Sequence, residues 1–248
     1  NSSGRLVALL DGHCAITAAT YYLGLCYLEG KGVGRHRRKG LELLRTAAEN
    51  GVTKAQTDYA YYVMSDGSKK SEISIALKFL RAAAKSNDDI AQCNLGEAYY
   101  HGDGVNRSLQ TAKRWYERAA KNGNTNASYS LGLMYLHGEG VSPLPKKAYK
   151  LILRAAKTGN LDAQSSAAYC LMNGLGTKKD TKQAVKWYRK AAKSGHALSQ
   201  YNLGKLYSKG IGVTKSLKLA INWLKKAAEN GEESAPSLLK KLSKTDKE

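Results

Sequence analysis

A small residue recurs at every 36th position along most of this 248-residue chain. The positions are Gly24, Ala60, Gly96, Gly132, Ala168 and Gly204. A pair of alanines follows each of them at the same spacing, at 47–48, 83–84, 119–120, 155–156, 191–192 and 227–228. Six units at equal spacing without an insertion predict a stack, in which each unit buries its apolar face against its neighbours.

The spacing of apolar residues within each unit predicts two helices. Ala127, Leu131 and Tyr135 lie four residues apart, which places them on one face of a first helix. In residues 184–192, apolar side chains stand at i, i+3, i+4, i+7 and i+8, the spacing of a second, amphipathic helix. The residue that follows each second helix is glycine, or Asn87 in one unit, and suits the left-handed position at a helix end. We therefore expect an all-α chain.

The segment Gly138-Glu139-Gly140 lies between the two helices of one unit and looks like the start of a phosphate-binding loop. Such a loop is normally a single site that follows a strand, and no strand pattern precedes this segment. The glycine pair also recurs in register at 30 and 32, 102 and 104, 174 and 176, and 210 and 212. Repetition favours a structural corner that needs positive φ or close backbone approach. The copy at Asp66-Gly67-Ser68 departs from the pattern, and we expect a looser turn there.

The combined pattern A-x-x-x-L-G-x-x-Y-x-x-G-x-G-V, then K-A-x-x-W-Y-x-K-A-A-x-x-G, resembles the Sel1-like repeat. Residues 127–159 carry much of the first half, and residues 184–195 match the second half nearly throughout. The resemblance covers 15–231 and implies a right-handed α/α superhelical solenoid of about six 36-residue helix-turn-helix repeats, related to tetratricopeptide folds. The expected boundaries lie near 51, 87, 123, 159 and 195. We expect residues 1–14 to be a flank or the remnant of a preceding helix, and 232–248 to be a partial repeat or capping helix with a charged tail.

The resemblance also implies a non-catalytic adaptor that binds a protein or peptide. Relatives of this kind include subunits of degradation complexes in the endoplasmic reticulum, regulators of fungal chitin synthase and bacterial proteins that act in host contact. A cysteine-rich bacterial branch, linked to penicillin binding, carries a disulfide in each repeat. The four cysteines of this chain are not spaced in that way, so that activity does not carry over.

In such solenoids the first helices line a concave face, which is where the resemblance predicts a partner to bind. The chain has 16 tyrosines against one phenylalanine, and six of these tyrosines fall at first-helix positions outside the Ala-Leu-Gly-Tyr seam. Tyrosine joins a large apolar face to a hydroxyl, which suits a peptide groove. The predicted groove residues are Tyr21, Tyr61, Tyr100, Tyr129, Tyr169, Tyr201, Leu25, Leu133, Met64 and Met172. Packing between repeats is the alternative role for each of them.

Charge gives the competing hypothesis, because 40 basic residues against 20 acidic ones leave a formal net charge of +20. The basic residues concentrate in the second helices, which the resemblance places on the outer face. A solvated outer face explains many of them, while a binder of nucleic acid or of anionic membrane would use the same residues. The predicted basic surface comprises Lys113, Arg114, Arg118, Lys150, Arg154, Lys186, Arg189 and Lys190.

Nothing in the sequence indicates catalysis, a metal site or a cofactor. His101 and His137 occupy equivalent places in neighbouring units, one repeat apart, too far to share a metal without a third ligand. No serine or cysteine lies in a nucleophile motif. No apolar run has the roughly 20 residues that a membrane-spanning helix needs. Cysteine usage favours a reducing, intracellular compartment, while a start at Asn1 rather than Met leaves a removed signal peptide open.

Overall fold

The computed structural model describes residues 2–65 and 69–245, with side chains in 15–65 and 69–242. Within these ranges every regular element is an α-helix, which confirms the predicted all-α class. The turn expected at Asp66-Gly67-Ser68 and the last residues of the expected tail lie outside them. The helices are α1 (Ser2–Glu29), α2 (Arg37–Glu49), α3 (Thr53–Met64), α4 (Lys70–Lys85), α5 (Asp89–His101), α6 (Leu109–Lys121), α7 (Thr125–His137), α8 (Pro145–Lys157), α9 (Leu161–Asn173), α10 (Thr181–Lys193), α11 (Ala197–Lys209), α12 (Leu217–Glu229) and α13 (Ala235–Thr245).

The chain forms two compact units, residues 1–124 (unit 1) and residues 125–248 (unit 2). In unit 1, α2 packs against α1 and α3, and α4 packs against α3 and α5. In unit 2, α8 packs against α7 and α9, and α10 packs against α9 and α11. Within each unit, these second helices thus contact the first helix of their own repeat and that of the next repeat. In unit 2, α13 lies against α12 as a first helix would.

The backbone of residues 2–14, the expected flank or remnant of a preceding helix, belongs to α1.

Small residues stand where two helices of one repeat approach each other closely. A Cβ placed on Gly132 of α7 would lie 2.8 Å from Cγ1 of Ile152 in α8 and 3.3 Å from the carbonyl oxygen of Ala148. In the same way, a Cβ on Gly204 would lie 2.7 Å from Cγ of Leu224. Glycine at these two positions therefore serves helix packing, because a Cβ there would crowd the facing helix.

The glycine pairs form the turns between the two helices of a repeat. Gly174 ends α9 at φ 71°, and its N–H donates to the carbonyl of Cys170. Gly176, at φ 70°, approaches the carbonyl of Pro145 in the preceding repeat so closely that a Cβ would collide with it. Positive φ and this close approach together explain why glycine is required, and the pair serves the turn of the backbone.

An amide ladder connects neighbouring repeats inside each unit. Nε2 of Gln92 in α5 donates to the carbonyl oxygen of Ala84 at 3.0 Å, which satisfies an end group of the preceding second helix. Oε1 of Gln92 in turn accepts from Nδ2 of Asn122 at 3.0 Å. In unit 2, Gln200 and Asn230 repeat this arrangement, with the corresponding bond at 2.9 Å.

One step of this ladder is incomplete. Gln164 donates to the carbonyl oxygen of Ala156 at 3.1 Å, but its buried Oε1 has no hydrogen-bond partner within the described residues. The position that asparagine holds at 122 and 230 is Ser194 here, and its Oγ bonds to the carbonyl of Lys190 instead. The unsatisfied oxygen is thus a direct consequence of one sequence difference.

Candidate functional site

Each unit has a hollow on the face formed by its first helices. In unit 1 the hollow lies between α3 and α5 and has a volume of ≈ 220 Å³. Its lining residues are Ala60, Tyr61, Met64, Ser65, Leu80, Asn94, Glu97, Ala98 and Asp103. In unit 2 the hollow lies among α7, α9 and α11 and has a volume of ≈ 260 Å³. Its lining residues are Leu133, Leu136, His137, Ser165, Ser166, Tyr169, Tyr188, Leu198 and Asn202.

Two larger hollows of ≈ 710 Å³ lie at the corners instead of on this face. The one in unit 2 runs along the start of α8 and the corner after α9, next to Pro145 and Gly176. Lys147, which also lines it, donates from Nζ to the hydroxyl of Tyr135 at 2.8 Å. These corner hollows are weaker candidates for a binding site, because Lys147 is hydrogen-bonded to Tyr135 and the glycines are needed for the turn.

The hollow of each unit carries one exposed tyrosine on its rim. Tyr61 is 58% exposed and Tyr169 is 51% exposed. The two residues occupy the same position of the repeat, three repeats apart along the chain. Leu25 and Leu133 share that position, but they are half-buried and pack against the cores of their units. Of the predicted groove residues, Tyr61 and Tyr169 are therefore the most accessible.

Tyr21 does not lie on an accessible surface. Only 8% of it is exposed, and its hydroxyl donates a hydrogen bond of 2.7 Å to Oδ2 of Asp58 in α3. Burial raises the pKa of Tyr21 well above its usual range, and the bond to Asp58 adds to the shift. The side chain is thus engaged in packing between α1 and α3, which is the alternative role that the sequence left open for it.

Tyr129 and Tyr201, at the same repeat position as Tyr21, are half-buried. The hydroxyl of Tyr129 is hydrogen-bonded to Oγ of Ser166 at 3.1 Å, and its ring packs against the core of unit 2. Tyr201 packs against the cluster of α12 and α13, and Nζ of Lys205 lies 5.1 Å from the centre of its ring. Because both side chains pack partly into the core, they are less accessible to a partner than Tyr61 and Tyr169 are.

The remaining predicted groove residues are half-buried. Tyr100 lies edge-on to His101 with ring centres 4.8 Å apart. Met64 lines the hollow of unit 1, while Met172 packs against a core cluster of unit 2.

Sequence reasoning missed Leu198 and Ile90. These apolar residues lie in the first turn of α11 and α5, three repeats apart, and are 47% and 54% exposed. Leu198 lines the hollow of unit 2. The other repeats have Ala18, Lys54, Asn126 and Asp162 at this position, so the available signal was a large apolar residue where they have a small or polar one.

The predicted basic surface lies on the second helices and is mostly exposed. Arg118 stacks 4.8 Å from the ring centre of Trp115, and Lys190 lies 5.4 Å from that of Trp187. Lys113 and Arg189 are half-buried, Lys113 near Glu117 at 3.7 Å and Arg189 donating to the hydroxyl of Tyr207 at 3.0 Å. The exposed members are Arg114, Arg118, Lys150, Arg154, Lys186 and Lys190.

Acidic residues are scarce in most of unit 2. Residues 140–228 contain 18 basic residues and only two acidic ones, Asp162 and Asp180. Asp162 accepts from Nε2 of His196 at 3.0 Å, and Asp180 caps α10 by accepting from the backbone N–H of Gln183. Both carboxylates are thus engaged in structural contacts, which leaves the positive charge of this segment largely unneutralised.

The described side chains offer little for catalysis or metal binding. Among them no group of three His, Cys, Asp or Glu residues could hold a metal ion. Cys93 and Cys170 are free thiols, and burial raises the pKa of each, to about 12 and about 11, which leaves them poor nucleophiles. Over the same part of the chain, no helix has both the length and the apolar character needed to cross a bilayer.

Comparison with known proteins agrees with this geometry. The Sel1 repeat family model matches residues 17–52, 53–88, 89–124, 125–160, 161–196 and 197–232. A Sel1 repeat protein from Oxalobacter formigenes is 33% identical, with a TM-score of 0.79 over 91% of this chain and 65% of that one. The c5321 protein, a protective antigen of uropathogenic Escherichia coli strains with an SLR fold, is 30% identical, with a TM-score of 0.77 over 92% of this chain.

This chain spans 49% of the length of c5321 and 65% of the Oxalobacter protein. The immunity protein Pa5087 from Pseudomonas aeruginosa is 16% identical, with a TM-score of 0.56 over 90% of this chain and 86% of its own, and shares the fold alone. No curated protein matches the chain.

The repeated helix pairs place the chain in the class of α/α solenoid repeat proteins. Because the family model covers six successive repeats, the chain belongs to the Sel1 repeat family. Proteins of this family are in general non-catalytic scaffolds for protein interactions.

Proposed function

We propose that this chain is a non-catalytic scaffold that binds a peptide or a partner helix on the face of its first helices. The observation that carries the proposal is the pair of equivalent exposed tyrosines, Tyr61 and Tyr169, each on the rim of a hollow. Solvent-exposed aromatic rings beside a concavity are the usual anchors of an interface, since they bury much apolar area at a low entropy cost.

The other residues around the hollows support this use. Met64 and Leu133 give the two hollows apolar walls, while Ser65 and Asn202 offer hydrogen-bonding groups at their edges. This mixture of apolar surface with a few polar groups suits a peptide, which carries both side chains and an unpaired backbone. Cofactors and catalytic residues have no part in the proposal.

The second candidate function is electrostatic binding of nucleic acid or anionic membrane by the second helices. The observation that favours it is the excess of 18 basic over two acidic residues in 140–228. Exposed side chains such as Lys150 and Lys186 would contact phosphates in that case. Such binding would weaken steeply, by about 10³-fold or more between 50 and 200 mM salt for six or more phosphate contacts.

Affinity capture with three baits, the unchanged chain and two variants, tests the two functions against each other. The groove bait carries Tyr61→Ala and Tyr169→Ala, which remove exposed rings at little cost to folding. The control bait carries Lys150→Ala and Lys186→Ala on the second helices. Proteins that survive nuclease treatment and are lost only with the groove bait support the scaffold. If the captured material disappears with nuclease, or only with the control bait, the electrostatic function replaces it.

A further inference from the structure

The two hollows differ in charge although they are built at the same position of the repeat. In unit 1, Glu97 and Asp103 bring carboxylates to the lining. In unit 2 no carboxylate lines the hollow, and the only titratable groups there are His137, Tyr169 and Tyr188. Glu97 has its counterpart in unit 2 at Lys205, which exchanges a negative for a positive charge at one repeat position.

Positive charge continues along α11 beside the unit 2 hollow. Lys205 takes on α11 the position that Tyr169 takes on α9 and Leu133 takes on α7, so it belongs to the same face. Its Nζ lies 5.1 Å from the ring centre of Tyr201, and Lys209 follows one turn later as an exposed side chain. Asp162, the acidic residue of the neighbouring helix α9, is hydrogen-bonded to His196.

The floor of this hollow contains an unused donor. Tyr188 of α10 is only 4% exposed, and its hydroxyl makes no hydrogen bond within the described part of the chain. Burial raises the pKa of Tyr188, so the hydroxyl stays protonated and can donate. Exposed Leu198 and Tyr169 stand at the rim above it. A volume of ≈ 260 Å³ falls just below the range for drug-sized ligands, and this favours a side chain as the occupant.

We propose that the hollow of unit 2 receives an apolar side chain from an acidic peptide segment, whose carboxylates contact Lys205 and Lys209. The apolar anchor packs between Leu133, Tyr169 and Leu198, and the hydroxyl of Tyr188 donates to a carbonyl oxygen of the same segment. This inference rests on the proposed scaffold function and adds the chemistry of the partner. It follows from charge complementarity, because an acidic segment is attracted by the basic excess of residues 140–228.

A peptide-display selection tests the partner chemistry without knowledge of the natural ligand. The whole chain selects from a library of random 12-residue peptides, and the selection is repeated with three variants. The hollow variant carries Tyr169→Ala and Leu198→Ser, the charge variant carries Lys205→Glu and Lys209→Glu, and the matched control carries Tyr61→Ala in unit 1. Circular dichroism checks that each variant folds.

The expected peptides carry a large apolar residue and a net negative charge. Their affinity, measured by fluorescence anisotropy, should fall by about tenfold or more in the hollow variant and change by less than about twofold in the control. The charge variant should no longer enrich negative peptides.

Four other results would overturn the inference. Peptides that need Tyr169 but are neutral or basic leave the scaffold function standing and reject the acidic chemistry. Peptides that need Tyr61 alone also leave that function standing and reject the unit 2 site. If no enriched peptide depends on either tyrosine, both proposals fail. Acidic peptides without an apolar anchor, bound equally by all variants and displaced by a single-stranded oligonucleotide, would point to the basic second helices instead.

Discussion

The hydroxyl of Tyr21 donates a hydrogen bond of 2.7 Å to the carboxylate of Asp58, one repeat and one residue further along the chain. Tyr129 and Ser166 are related by the same separation of 37 residues. A tyrosine at this position of a first helix therefore reaches the next first helix of the stack. This contact joins neighbouring repeats within each unit.

Tyr21→Phe should destabilise unit 1 by about 1–3 kcal/mol, because the partly buried Asp58 loses a donor. Burial raises the pKa of Asp58, and the bond from Tyr21 opposes that rise by stabilising the carboxylate. The loss should therefore be largest near pH 7, where Asp58 is ionised, and smaller near pH 4, where it takes up a proton. Urea unfolding at the two pH values measures this difference.

Tyr22→Phe is the matched control, since Tyr22 is the adjacent tyrosine and is 60% exposed. Its unfolding midpoint should stay close to that of the parent at both pH values. Equal losses at the two pH values for Tyr21→Phe would contradict the role given to the Asp58 carboxylate.

Ser194→Asn should stabilise unit 2 by about 0.5–1.5 kcal/mol. The new amide would donate to the unsatisfied Oε1 of Gln164, as Asn122 donates to Gln92 in unit 1. The reverse change, Asn122→Ser, should cost a similar amount by orphaning Gln92. Chemical denaturation gives the free energy of unfolding of both variants. If Asn122→Ser leaves it unchanged, the amide ladder contributes little to stability.

Gly176→Ala should be more destabilising than Gly32→Ala, although both glycines occupy the same corner position at φ near 70°. Both variants incur the left-handed strain of about 1–2 kcal/mol. A Cβ on Gly32 meets nothing within 4 Å, whereas one on Gly176 collides with the carbonyl of Pro145. The collision should add about 1–3 kcal/mol. Thermal unfolding of both variants is the measurement, and equal losses would contradict the close approach.

Cys93 and Cys170 should resist alkylation in the folded protein at pH 8. Burial raises their pKa to about 12 and about 11, so the reactive thiolate is rare and also shielded. Half-buried Cys26 serves as an internal reference and should react faster. Peptide mass mapping after iodoacetamide treatment, with and without denaturant, gives the three rates. Labelling of Cys93 as fast as that of Cys26 in the folded chain would be inconsistent with the packing of α5.

Much of the fold could be predicted because its signals are local or strictly periodic. The helix phase of residues 184–192 and the glycines at 174 and 176 depend on backbone geometry within a few residues. Gln164 was beyond such reasoning, because its unsatisfied oxygen depends on a residue 30 positions away.

The candidate site was predictable only in outline. The sequence identified the first-helix positions as a set, but it could not tell which of Tyr21, Tyr129 and Tyr169 is exposed and which is buried. Exposure depends on the side chains of the neighbouring repeats, and two of these tyrosines find a polar partner 37 residues away, at Asp58 and at Ser166.

The sequence by itself determined the repeat, the helix pairs, the corners and the net positive charge, since each follows from residue identity at a fixed spacing. Only the tertiary structure decided which aromatic rings remain in solvent and which carboxylates are already engaged. Tyr169 stays 51% exposed while Tyr188 forms the floor beneath it. The physical reason is that burial and pairing are set by the volumes and polar groups of adjacent repeats, which meet only after the chain has packed.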